Sequence, residues 1–292
     1  MPPGESMMTV QRLLTTMAEC VPQSVKIALR GKRGAPSRFA NVIHSILNCA
    51  PGERYPVLKC AGVLDGYRMK VDWTKHRSFV YGTWEPEVVG VVTENVKPGM
   101  VALDIGAQSG FYALMLSKLV GPKGRVVAFE PLPANFRMLE ENVALNRVTN
   151  IETQHQAVGE RSGKGDFEVP EPGDSLVAGP MITADPRGTM KVPIVSLDDF
   201  LFEHGTHVDF IKIDVEGAEG DILRGARRTL ETFHPRMMVE LHHMEEQAGS
   251  HPVANLMEEL GYEIRWLSEV GYTTHTFAQW KAKAAPVGYR KK

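Results

Sequence analysis

From about residue 100 to residue 260 the chain alternates short apolar runs of strand type with segments whose apolar residues recur at helical spacing. This rhythm restricts the fold more than any other feature. Strands are predicted at 100–105, 125–130, 150–158, 207–214 and 236–242, with helices at 110–120, 133–146, 218–231 and 251–260. Such alternation requires an α/β fold in which parallel strands are joined by crossover helices on both faces of a doubly wound sheet. The closing runs, 262–267 and 273–280, are too near each other for a crossover helix, so they are predicted to pair antiparallel. The expectation is a mostly parallel seven-stranded sheet finished by an antiparallel hairpin.

The flanks read differently. Val10, Leu13, Leu14, Met17 and Val21, then Phe39, Val42, Ile43, Ile46 and Leu47, predict helices in an N-terminal extension over residues 1–60, separated by a basic stretch, Lys26 to Arg33. The extension suggests a cover for the main domain or a homodimer contact. From Gly66, the alternation of Tyr67, Met69, Val71 and Trp73 with charged residues predicts a strand, and Pro86 opens an apolar helix. Residues 163–188 carry four prolines among small polar residues and read as a long loop, with room for a hairpin. Residues 61–280 form the main domain, and 281–292 form a basic tail.

With 292 residues, 43% of them hydrophobic, the chain can bury one large core plus an appendage. A net charge of −2 provides no general drive toward nucleic acid, and no nucleic-acid partner is expected. Cys20, Cys49 and Cys60 have no metal-ligand spacing and no disulfide pattern. No uncharged run reaches the roughly 18 residues of a membrane helix. The expected location is the cytoplasm.

In Leu103-Asp-Ile-Gly-Ala-Gln-Ser-Gly-Phe-Tyr112, a strand ends in a carboxylate and passes through Gly106, Ala107, Gln108 and Gly110 into a helix. Gly106 permits a tight turn and a close ligand approach. Gln108 replaces the middle glycine of the dinucleotide fingerprint, and Asp104 would repel a pyrophosphate while suiting an ammonium group, as in S-adenosylmethionine. A structural helix cap is the plain alternative. Glu130, followed by Pro131, ends the next strand about 20 residues or somewhat more beyond the turn, where an acid accepts hydrogen bonds from ribose hydroxyls. Gln156, Ala157 and Val158 close the third strand, where they could meet an adenine edge.

In Ile211-Lys-Ile-Asp-Val-Glu-Gly-Ala-Glu219, alternation places Lys212, Asp214 and Glu216 on one face, where burial demands partners. Asp104 on the adjacent strand is the expected partner of Lys212. These two motifs, with Phe129-Glu-Pro131, Ala157-Val-Gly159 and Ser196-Leu-Asp-Asp199, together resemble the FkbM family of S-adenosylmethionine-dependent methyltransferases over roughly residues 82–267. The resemblance implies a class I methyltransferase, Rossmann-like fold and O-methylation of a hydroxyl on a small molecule, polyketide or sugar. It also implies that Glu85 closes over the cofactor; on spacing alone Glu85 is a first-turn helix acid. Gln108 departs from the asparagine usual in the family.

Methyl transfer to oxygen needs a proton acceptor. Asp214, Glu216, Glu240 and His242 are the candidates, with His242 starting from a pKa of about 6.5. Alternatively, Asp214, Glu240 and His242 hold a divalent cation that acidifies the hydroxyl. His242 can equally be a structural histidine, and His243 on the opposite face leans that way. Two other functions compete with the methyltransferase: a nicotinamide-dependent oxidoreductase, and a non-catalytic adenosine-binding or membrane-docking protein.

Overall fold

A computed structural model describes residues 55–168, 189–242, 251–270 and 273–281. The expected N-terminal helices, the basic segment from Lys26, most of the 163–188 loop, His243 and nearly all of the basic tail lie outside those residues. Of the described residues, those up to Val89 with Glu140–Val148 form one compact unit, and those of Gly90–Leu139 with Thr149 onward form a second.

In the first unit, β1 (Val57–Lys59) pairs antiparallel with β2 (Arg68–Lys70), with Leu58 opposite Met69. The strand ends at Lys70 rather than continuing to Trp73, which instead begins α1 (Trp73–Tyr81). Period-two patterning through Trp73 therefore overshoots: Asp72 turns inward, is 2% exposed, and its carbonyl accepts the first helical bond, from His76 N–H at 2.7 Å. Two asparagines one turn apart on α4 (Pro133–Asn146) satisfy the free edge of β2. Asn142 bonds both the N–H and the C=O of Lys70, at 2.6 and 3.1 Å, and Asn146 does the same for Arg68, at 2.8 and 2.7 Å. Glu85 lies in this unit at φ 34, just ahead of α2 (Pro86–Asn95), and its carbonyl accepts from Val89 N–H.

The second unit is built on β3 (Val101–Ile105), β4 (Arg125–Phe129), β5 (Ile151–Gln154), β9 (Phe210–Ile213), β10 (Arg236–His242), β11 (Tyr262–Val270) and β12 (Thr273–Trp280). They lie in the order β11-β12-β10-β9-β3-β4-β5. The four contacts from β10 to β5 are parallel and the two involving β12 are antiparallel, as the strand and helix rhythm requires. This is the mostly parallel, seven-stranded, doubly wound sheet with a closing antiparallel hairpin that the sequence predicts.

Residues 150–158 do not form one strand. After β5 the chain breaks, and Ala157–Val158 becomes β6, which leaves the main sheet to pair with β8 (Thr189–Val195). Residues 163–168, expected in a long loop with room for a hairpin, form β7 (Gly163–Glu168), antiparallel to β8. Phe167, Val192 and Ala157 form the small core of this three-stranded sheet.

One face of the main sheet presents Leu103, Ile105, Val127, Phe129, Ile211, Ile213 and Val239. They join a core with residues of α5 (Leu197–Glu203), α6 (Glu219–Arg224), α7 (Arg227–Phe233) and α8 (Pro252–Glu259). On the opposite face, α3 (Phe111–Val120) sets the Tyr112 ring 4.5 Å from Lys212 Nζ. The expected helix at 218–231 is two helices. A Cβ at Gly225 would lie 2.2 Å from the Gly159 carbonyl oxygen, so the chain turns there to clear the backbone, and Asp198 N–H donates to the Gly225 carbonyl.

Candidate active site

A cleft lies at the carboxyl ends of β3, β4 and β9, the place where open α/β sheets bind their ligands. Its first wall is the turn after β3. Gly106 and Ala107 donate to the Phe129 carbonyl at 3.0 and 2.9 Å, and three residues of the turn have positive φ: Gly106 at 84°, Gln108 at 49° and Gly110 at 92°. Only glycine fits at Gly106, because an added Cβ would lie 1.8 Å from the Asp214 carbonyl oxygen. Gln108 turns its N–H onto Glu130 Oε2 at 2.8 Å, which couples the glycine turn to the end of β4.

Glu130 also accepts from Leu132 N–H at 2.9 Å and, more weakly, from the Asn135 amide at 3.4 Å. Burial drives its carboxyl upward and these three bonds oppose the rise, leaving it raised to about 7. Pro131, Gln156, Ala157 and Val158 line the same part of the cleft, and so do Phe129, Asn135 and Phe167. The last three were not anticipated. Asn135 sits five residues beyond Glu130, a spacing that local pattern could have suggested. Phe167 reaches the cleft through the β7–β8 pairing, which no local signal reports.

Asp104 is fully buried, neither carboxylate oxygen meets hydrogen-bond geometry among the described residues, and it does not line the cleft. Burial raises its carboxyl to about 6, Lys212 opposes the rise, and Asp214 adds to it. Lys212 stands in register with Asp104 across β3 and β9, as anticipated, but its ion pair is with Asp214 on its own strand, Nζ to Oδ2 at 2.9 Å. The Lys212 side chain is only 5% exposed, so its charge is held by Asp214, by Asp104 across the strand and by the Tyr112 face.

The second wall comes from the end of β9, where Asp214, Val215, Glu216 and Ala218 line the cleft. Glu216 has φ 55 and Gly217 has φ 106, so the chain passes through two left-handed residues in succession. His242, at the end of β10, turns Nδ1 to Glu219 Oε1 at 2.7 Å and Nε2 to Glu216 Oε2 at 3.2 Å, with Glu240 Oε1 at 3.9 Å. Burial works against a charge on this ring. The Glu219 hydrogen bond and the charges of Glu216, Glu219 and Asp214 outweigh burial and lift His242 to about 9. At neutral pH it is a cation with both N–H groups directed at carboxylates.

Burial raises the Glu216 carboxyl; His242 pulls it down, while Asp214, Glu240 and Glu219 push it further up. Burial would also raise Glu240, but His275, whose Nε2 lies 3.3 Å away, with Lys212 and His242, brings it well below the usual range. Asp214, Glu240 and His242 bring potential metal-ligand atoms within 4.8 Å of one another. Of the four candidates for acid–base work, Asp214 and Glu216 line the cleft and His242 and Glu240 do not.

The model of the methyltransferase FkbM domain matches residues 104–272, more than half of the 292-residue chain. The chain belongs to the FkbM methyltransferase family. Among similar proteins, Methyltransferase 1 of Beauveria bassiana is 28% identical over 142 residues, covering 42% of this chain and 57% of that protein. The 2-O-methyltransferase NoeI of Sinorhizobium fredii is 31% identical, covering 46% of this chain and 60% of its own. The hexuronic acid methyltransferase AglP of Haloferax volcanii is 30% identical, covering 54% and 62%. This FkbM-family chain thus spans about three fifths of the length of these relatives. No helix among its described residues is long and apolar enough to cross a membrane.

Proposed function

We propose that this protein is an S-adenosylmethionine-dependent methyltransferase that methylates a hydroxyl oxygen of a small molecule or sugar. The observation that carries this reading is that Glu130, the glycine turn and the Asp214–Glu216 segment line a single cleft in an FkbM-family domain. The residues fit the methyl donor. Gly106 lets the turn seat directly on the Asp214 carbonyl, which joins the turn and the end of β9 along one cleft, Glu130 is a buried acceptor at the right strand end for ribose hydroxyls, and Asp104 is a buried carboxylate whose oxygens accept no hydrogen bond among the described residues. Pro131, Gln156, Ala157 and Val158 would border the adenine, with Phe129 and Phe167 as apolar walls. When bound, the donor supplies an electrophilic methyl group on a sulfonium.

The chain's own part is orientation and proton handling. Glu216 lines the cleft and burial raises its carboxyl, which suits it to take the hydroxyl proton as the oxygen–carbon bond forms. His242 is protonated at neutral pH, so it acts by holding Glu216 rather than by accepting the proton. A divalent cation on Asp214, Glu240 and His242 would have to displace the His242 proton and break a bond to Glu216 or Glu219. The contacts that His242 already makes to Glu216 and Glu219 favour the metal-free reading. One relative is by its name a 2-O-methyltransferase, which supports oxygen as the acceptor atom, and another is by its name a hexuronic acid methyltransferase, which supports a sugar-type acceptor.

The test incubates purified protein with methyl-labelled S-adenosylmethionine and fractionated cell extract, with and without chelator, and identifies the product by mass spectrometry. Label on a hydroxyl oxygen with an unchanged rate in chelator is expected. Absence of calorimetric binding of both S-adenosylmethionine and S-adenosylhomocysteine would overturn the reading.

A further inference from the structure

One buried carboxylate next to the cleft has no part in the chemistry just described. The Glu219 side chain is 2% exposed, and its Oε1 accepts from two directions, from Gly217 N–H at 3.0 Å and from His242 Nδ1 at 2.7 Å. The other ring nitrogen of His242 lies 3.2 Å from Glu216 Oε2. Two hydrogen bonds and an ion pair therefore link the backbone of the left-handed turn through Glu219 and the imidazole to the carboxylate that faces the cleft.

Resting on the reading of Glu216 as proton acceptor, we infer that Glu219 is a positioning residue. It clamps Gly217 in its left-handed conformation and aims the His242 ring, so that Glu216 is presented to the cleft in one orientation. The physical ground is twofold. Glu216 at φ 55 is in a region that a residue with a Cβ occupies only when its surroundings hold it there, and the Glu219 bond to the next N–H is one such restraint. An imidazole with one nitrogen tethered also has a single ring orientation, which fixes where its second N–H points. Glu219 does not line the cleft, so its effect on reaction must pass through His242 and Glu216.

The test uses the full chain labelled with ¹⁵N-histidine and saturated with S-adenosylhomocysteine, the His242 ring being assigned with His242→Gln. In the wild type the Nδ1 proton is expected to exchange slowly. In Glu219→Ala it is expected to exchange at least about tenfold faster, while affinity for S-adenosylhomocysteine stays within about threefold of wild type. Glu219→Asp keeps the charge but withdraws the oxygen, so it is expected to behave as Glu219→Ala does and serves if the alanine variant does not fold. With the labelled extract fraction as acceptor, kcat per folded molecule should fall by about a hundredfold at unchanged KM for S-adenosylmethionine, the lower end of what a placed base contributes. A wild-type Nδ1 proton that exchanges freely, or a variant with faster exchange and wild-type kcat, would overturn the inference. The exchange measurement needs no acceptor, so its outcome stands apart from whether the proposed reaction is found.

Discussion

Replacing Gly106 by alanine tests whether the turn and the end of β9 are built against each other. The added Cβ would lie 1.8 Å from the Asp214 carbonyl oxygen, 2.9 Å from its carbon and 3.3 Å from Val215 Cγ1. Taking about 3.3 Å as an ordinary carbon–oxygen contact, the two segments must separate by roughly 1.5 Å, and the obstacle is backbone rather than a flexible side chain. Asp214 is also tied to the turn by its own N–H, which donates to the Ile105 carbonyl at 3.0 Å. A left-handed φ on a residue with a Cβ costs about 1–2 kcal/mol, and overpacking costs about 1–3 kcal/mol more. A total of about 3 kcal/mol lowers the melting temperature by roughly 6–12 °C in a chain of this size. Gly99→Ala is the control, since it has φ 89, close to that of Gly106, and open space around the new Cβ, so it carries a positive φ without the overlap. Thermal melts of the three proteins, with calorimetric titration of S-adenosylhomocysteine, read both consequences. If Gly106→Ala melts with the Gly99→Ala control and keeps wild-type affinity, the close approach does not exist in solution.

Lys212→Met should destabilise the fold by about 3–5 kcal/mol in urea titrations, because it leaves buried Asp104 and half-buried Asp214 without their shared cation; a midpoint equal to wild type would refute the shared-cation account. The Glu130 carboxyl is raised to about 7, so its linkage to folding favours the ligand-free protein at low pH, and that contribution is lost as pH rises from about 4.5 through 7. Ligand binding has the opposite sign, since ribose hydroxyls donate to the ionised form. Affinity for S-adenosylhomocysteine should rise by about tenfold between roughly pH 6 and pH 8 and lose that dependence in Glu130→Gln; a flat profile in the wild type would remove Glu130 from the ribose site.

Local pattern located most of the candidate site because its residues sit at strand ends, and strand ends are where apolar alternation stops. Asp104, Glu130, Asp214 and His242 are all picked out in this way, and of these Glu130 and Asp214 line the cleft while Asp104 and His242 do not. Contacts made across the sheet were a different matter. Asp104 and Lys212 do lie in register, yet the lysine bends along its own strand to Asp214, a choice set by rotamer and burial rather than by spacing. The pKa of His242 moved for the same reason. Its ordinary value invited the role of base, whereas Glu219 and Glu216, distant in sequence and adjacent in space, make it a cation.

What the amino-acid order determined by itself was the α/β alternation, the closing hairpin and the turn at Gly106, because each follows from periodicity or from the steric freedom of a single residue. Tertiary structure decided the departure of β6 from the main sheet, the break at Gly225 and the placing of Phe167 beside Glu130. Each of those depends on backbone segments meeting that are far apart in the chain, and close packing there settles what local preference leaves open.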